Sequence, residues 1–138
     1  VSNIVSNLDQ LCAEWQEILG LQNWDVVAKI VRFYDLDGRV HGQCSWTLAK
    51  REALIKILDP DDYDPDFAFP HDVEKILVYE LLHLHFAPFS VGSDTPEGIA
   101  QEQAVGAIAN ALVKLKRNST KELKNLNLRE VIDEQRQD

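Results

Sequence analysis

Four side chains able to do chemistry stand where the hydrophobic pattern calls for apolar ones. Tyr79, Glu80 and His83 lie inside the stretch VEKILVYELLHLHF (Val73–Phe86), and Glu102 lies inside the next apolar stripe. Residues four apart on a helix project together, so positions 79 and 83 can share one ion, while position 80 points to the adjacent sector, beside it. Burying a carboxylate next to an imidazole costs several kcal/mol unless something pairs with them. A metal ion is one such partner. Glu102, nineteen residues after His83, is the candidate third ligand. A His, a Glu and a phenolate would leave one coordination position open, the mark of a catalytic rather than a structural zinc site.

The five residues Tyr79-Glu80-Leu81-Leu82-His83 resemble the HExxH pattern of zinc peptidases, with Tyr79 in place of the first His. In that pattern two His hold Zn²⁺ and the Glu takes a proton from the water the metal activates. From about residue 24 to residue 115 the chain resembles the zincin-like metallopeptidases, closest to small gluzincin or SprT-like bacterial and phage domains. The shared features are a short sheet, then VYELLHLHF, then a helix carrying AQEQAVGAIA. The resemblance implies Glu80 as general base and His83 and Glu102 as zinc ligands, with Tyr79 in the first ligand position. It also implies that residues 51–58, just before the central helix, form the strand that lies antiparallel to a bound peptide.

Other readings of the same residues stay open. His83 and Glu102 can form a buried ion pair without metal, Glu80 can be a carboxylate bonded to a backbone amide, and Tyr79 can be a core residue with a bonded hydroxyl. His85 is two residues from His83, points nearly the opposite way and reads as a core or interface histidine. His41 and His71 read as a polar strand face and a helix start. Cys12 and Cys44 lack any CxxC-type neighbour and read as buried free thiols of a reducing compartment. Trp24 and Trp46 read as core.

The elements that must position these residues follow from periodicity. Residues 2–19 form a helix, capped by Ser2 and stopped at Gly20, with Ile4, Leu8, Leu11, Cys12, Trp15, Ile18 and Leu19 on its buried face. Residues 24–34, 39–48 and 51–58 read as three strands, and Asp35-Leu36-Asp37-Gly38 suggests a hairpin between the first two. Residues 59–71, DPDDYDPDFAFPH, form a solvated acidic loop without the ligand spacing or central Gly of an EF-hand. Asp72 caps the central helix. That helix is apolar almost all round, which predicts burial on every side. Thr95-Pro96 starts a helix to about Arg117, with Ile99, Val105, Gly106, Ala109, Leu112 and Val113 buried. Asn118-Ser119-Thr120 then breaks the chain before a charged helix or tail at 121–138.

The chain has 138 residues, 45% hydrophobic and 27% charged, at a net charge of −9. It is long enough for a core without disulfides, and its acidity argues against a nucleic-acid-binding surface. No apolar run is long enough to span a membrane, and VSNIVSNLDQ lacks the pattern of a signal peptide. The expectation is therefore a cytoplasmic α+β protein. It has a zincin-like minimal domain at 1–117: an N-terminal helix, a small, mainly antiparallel sheet of about three strands, a buried active-site helix and a ligand-bearing helix. A C-terminal segment, 118–138, follows. The expected function is zinc-dependent hydrolysis of a peptide or protein. The alternatives are a non-catalytic zincin-like binding or scaffold protein, or a plain α+β domain with a structural polar network.

Overall fold

The structure, a computed structural model, describes residues 2–89 and 91–136, with side chains from residue 7 onward. The expected cap at Ser2 and core contact of Ile4 lie outside the described side chains, and the last two residues of the C-terminal segment lie outside the described chain. The fold is α+β: helix α1 (Ser2–Leu19), strands β1 (Asp25–Val31), β2 (Gly42–Thr47) and β3 (Glu52–Leu58), then helices α2 (Val73–Phe86) and α3 (Pro96–Arg136). Among the described residues no helix is long and apolar enough to cross a membrane.

Helix α1 ends where glycine allows it. Gly20 sits at φ +71°, and the bonds Leu21 N–H to Gln16 O (2.7 Å) and Gly20 N–H to Glu17 O (3.2 Å) close a Schellman motif. Leu8, Cys12 and Trp15 face the core, whereas Ile18, expected there, is half exposed.

The sheet departs from the expected one. Its order is β1-β3-β2, with β1 parallel and β2 antiparallel to β3, so it is mixed rather than mainly antiparallel. The hairpin expected at residues 35–38 does not form. Arg32, just after β1, is locked by two 2.6 Å bonds to Asp62, just after β3, and the Phe33 N–H donates to the same carboxylate. The chain leaving β1 is thereby pinned beside the exit of β3, and β2 is laid on the far side. The central place goes to the strand with the most apolar inner face. Ala53, Ile55 and Ile57 are buried on it, while β1 and β2 become edges.

Helix α2 packs against α1, α3, β2 and β3. Leu77, Val78, Leu81, Leu82 and Leu84 are all buried, as its all-round apolarity requires. Asp72 caps it, accepting from the Lys75 N–H at 3.1 Å. The same carboxylate takes two bonds from Arg117 of α3, at 2.9 and 3.0 Å. Glu74 in the first turn accepts from Lys116 at 2.7 Å, Trp15 Nε1 at 2.9 Å and Arg117 at 3.2 Å. Burial pushes the Glu74 carboxyl up, but these bonds outweigh it and hold the group below its ordinary range. One acidic turn thus ties α1, α2 and α3 together.

Helix α3 starts as expected: the Thr95 hydroxyl accepts from the Gly98 N–H at 3.0 Å, and Pro96 is the first helical residue. It does not break at Asn118-Ser119-Thr120. The Thr120 hydroxyl donates back to the Lys116 carbonyl at 3.0 Å, which accommodates it inside a helix, and α3 runs unbroken for 41 residues. Every residue from 117 to 136 is exposed. Val105, Ala109 and Val113 are buried, but Ile99 is not.

These contacts predict a sharp contrast. Leu81→Ala should destabilise the fold by about 2–5 kcal/mol as a buried large-to-small change. Leu123→Ala, on the exposed part of α3, should change stability by no more than about 0.5 kcal/mol. Urea unfolding followed by circular dichroism checks both. Equal effects would mean that α2 is not the centre of the core.

Candidate functional site

The four sequence candidates meet in space. His83 Nε2 lies 2.9 Å from Glu102 Oε1, and the Tyr79 hydroxyl donates to Glu102 Oε2. Tyr79 and His83, one helical turn apart, stack edge to face with ring centroids 4.8 Å apart. Glu80 is turned to the other side of His83, its Oε2 3.6 Å from His83 Nδ1. Glu102 does not lie within the buried stripe of α3, as its sequence position suggests, but at its edge, with its side chain 48% exposed. From there its carboxylate reaches over α2. Glu80, by contrast, is only 6% exposed.

All four line a groove of about 580 Å³ between β2 and α3, with α2 as its floor. The β2 wall comes close because position 42 has no side chain. A Cβ there would stand 2.5 Å from Ile76 Cγ2 and 3.4 Å from Glu80 Oε1. The strand expected to lie beside a bound peptide, residues 51–58, is central and paired on both sides, so it has no free edge. The strand that walls the groove is β2, an edge. Trp46, expected in the core, is 42% exposed at its end and lines the groove.

The electrostatics follow burial. Burial pushes the Glu80 carboxyl up to about 7. It pushes His83 below its ordinary value, against a smaller upward pull from the Glu80 backbone, and it raises Glu102. A carboxyl near 7 suits proton transfer in either direction at neutral pH. Cys44, also on the groove wall, is raised to about 12 by burial and then by Glu80, so its thiol stays protonated and unreactive.

His83 Nδ1 is buried with no hydrogen-bond partner. If the ring proton is on Nε2, it bonds Glu102 and leaves the Nδ1 lone pair stranded. If it is on Nδ1, the Nε2 lone pair faces a carboxylate. A cation where Nε2, Glu102 and the phenol oxygen converge would relieve the second arrangement, and a nitrogen with two oxygens suits Zn²⁺. Among the described residues no three His, Cys, Asp or Glu side chains form a metal cluster. The grouping has three members only because Tyr79 supplies one.

The remaining histidines lie elsewhere. His85 is exposed and donates to the Leu19 carbonyl at 2.6 Å, at the end of α1. His71 Nε2 donates to the Leu58 carbonyl at 2.8 Å, and His41 packs on Tyr63 and Phe67. Arg39, Gly42, Lys75 and Ile76 also line the groove, and the sequence gives little sign of them. Gly42, alone without a side chain among the strand's inward positions, is the one hint. Comparison with protein-family models, characterised proteins and solved structures found no match.

The raised Glu80 value sets a pH signature for metal-free protein. The unfolded chain loses this proton in the ordinary carboxylate range, the folded one only near 7. Between those values the folded state binds more protons, so stability falls as pH rises, by about 3 kcal/mol in all. Glu80→Gln removes this slope, while His83 and Glu102 titrate in both proteins and largely cancel. Denaturant midpoints from pH 4.5 to 7.5 should therefore diverge in favour of the glutamine form. Parallel curves would mean that Glu80 is not a buried carboxyl.

Proposed function

We propose that the groove is the active site of a zinc-dependent peptidase of zincin-like type, in which His83, Glu102 and Tyr79 hold one Zn²⁺ and Glu80 is the general base. The observation that carries this reading is the convergence of His83 Nε2, both Glu102 oxygens and the Tyr79 hydroxyl beside a groove, with a carboxylate poised next to them rather than among them. Bound there, Zn²⁺ would supply Lewis acidity, polarising the scissile carbonyl and making water more acidic.

The chain's own residues do the rest. Glu80 takes the proton from the attacking water and passes it to the leaving amine, a cycle that its value near 7 favours in both directions. The open β2 edge and the α3 wall hold an extended peptide or protein segment over α2. Tyr79 and His83, fixed by one helical turn, keep the ligand set in register. Two free thiols, Cys12 and Cys44, favour a reducing compartment, the cytoplasm.

A second reading, a non-catalytic binding or scaffold protein, is favoured by the fact that Tyr79 and His83 both already bond Glu102. Such a network needs no metal. Peptide hydrolysis with zinc present separates the peptidase from a scaffold that keeps the metal, and zinc content separates both from a metal-free network. Protein purified without chelator should carry one Zn²⁺ per chain, lost in His83→Ala and retained in Glu80→Gln, whose peptide hydrolysis should vanish. Equal zinc in wild type and His83→Ala would sink the metal site.

Position 79 gives a finer test. A phenol has an ordinary pKa near 10 and must lose a proton to become a strong ligand, whereas neutral imidazole need not. Tyr79→His should therefore bind Zn²⁺ more tightly at pH 7, with equal or greater turnover. Unchanged affinity in a zinc competition titration would show that position 79 does not face the ion.

A further inference from the structure

The groove is electrically lopsided. Its acids, Glu80 and Glu102, sit beside His83. Lys75, near the start of α2 and so away from His83, and Arg39 also line it, and neither forms an ion pair among the described residues. The acids nearest Lys75 in sequence are already engaged. Asp72 is held by two bonds from Arg117, and Glu74 by Lys116, Trp15 and Arg117. In a chain of net charge −9, two cations that line a groove without an ion pair make it a local site for a negative charge, and Lys75 places that charge away from His83.

We infer that the groove selects peptides carrying an acidic side chain about three residues from the cleaved bond, on the side toward Lys75. This rests on the peptidase reading for the cleaved bond but not for binding. The spacing follows from geometry. Lys75 lies roughly six residues before the middle of the Tyr79–His83 turn, about 9 Å along α2, or roughly three residues of extended chain. The carboxylate belongs within the peptide rather than at its C-terminus, because the groove does not close there. His41, Lys75 and Ile76 also line a second hollow of about 200 Å³ with Tyr63, Phe67 and Phe69, so a bound chain can continue past Lys75.

Peptide binding to the full chain in EDTA separates this inference from the peptidase reading, since it needs neither metal nor turnover. Three fluorescein-labelled peptides of one length are compared by anisotropy at physiological ionic strength: an internal Glu with an amidated end, Gln in its place, and Gln with a free C-terminal carboxylate at that position. The internal-Glu peptide should bind about tenfold more tightly than the Gln peptide. The double variant Arg39→Glu/Lys75→Glu, shown folded by its thermal melt, should reverse the preference toward a peptide with Lys there. Equal binding of the Glu and Gln peptides, no binding of either, tighter binding of the free-carboxylate peptide, or a preference that survives charge reversal would each overturn the inference. Acid preference in EDTA, with no hydrolysis of the internal-Glu peptide by the zinc-supplemented chain in a parallel assay, would uphold it and overturn the peptidase reading instead.

Discussion

Helix α2 has no side that prefers water, and that constraint organises the molecule. A helix so enclosed must meet apolar surface in every direction. It does so against α1, against the inner faces of β2 and β3, and against Val105, Ala109 and Val113 of α3. Of its polar groups, Lys75 and His85 reach solvent near the two ends, whereas Tyr79, Glu80 and His83, in the enclosed middle, face one another, Glu102 and the groove. The cost of holding Glu80 out of water appears directly in its raised pKa. A fold that keeps a carboxylate at that cost, with no apolar residue in its place, gives up stability at this position.

The register of α3 on α2 decides whether the site forms at all. It is set far from the groove, where Asp72 and Glu74 hold Lys116 and Arg117. Isolated surface ion pairs contribute little. This cluster differs, because Glu74 is mostly buried and receives bonds from three side chains on two other helices, and because Lys116 also sits over the Trp15 ring at 5.0 Å. With that end fixed, one rigid helix carries Glu102 to His83. A one-residue slip would rotate Glu102 by 100° and empty the site of its second carboxylate.

Much of this was legible in the residues, for a physical reason. Helix α2, its cap at Asp72, the Thr95-Pro96 start and the shared sector of Tyr79 and His83 follow from periodicity and local bonding, which a sequence displays, whereas Glu102 joins them through the register of α3. Strand order does not. β1 and β2 have turn residues between them, and nothing local reveals that the Arg32–Asp62 pair would send β2 to the far side of β3. The resemblance therefore points to residues 51–58 as the peptide-facing strand, while the free edge at the groove is β2. Trp46 differs from expectation for the same reason: on a central strand it would be core, on this edge it is 42% exposed. The unbroken α3 reflects a similar limit. Asn-Ser-Thr favours caps, but Thr120 bonds back to Lys116 and no Gly or Pro forces a stop.

The charge of the chain bears on what the groove can hold. A net −9 draws divalent cations toward the surface and opposes an acidic peptide. The two effects act over different ranges. At physiological ionic strength, charges more than about 8 Å away are largely screened, so most of the chain's acidity is silent at the groove floor. Arg39 and Lys75 line the groove itself, so a charge bound there would meet them at short range, where screening is weak. Dilute buffer would let the distant acids repel the peptide and mask the local preference. Salt well above physiological would weaken the contact pairs themselves. Selection for an acidic residue is therefore expected to peak at intermediate salt, a dependence that neither a uniformly acidic surface nor a purely apolar groove would produce.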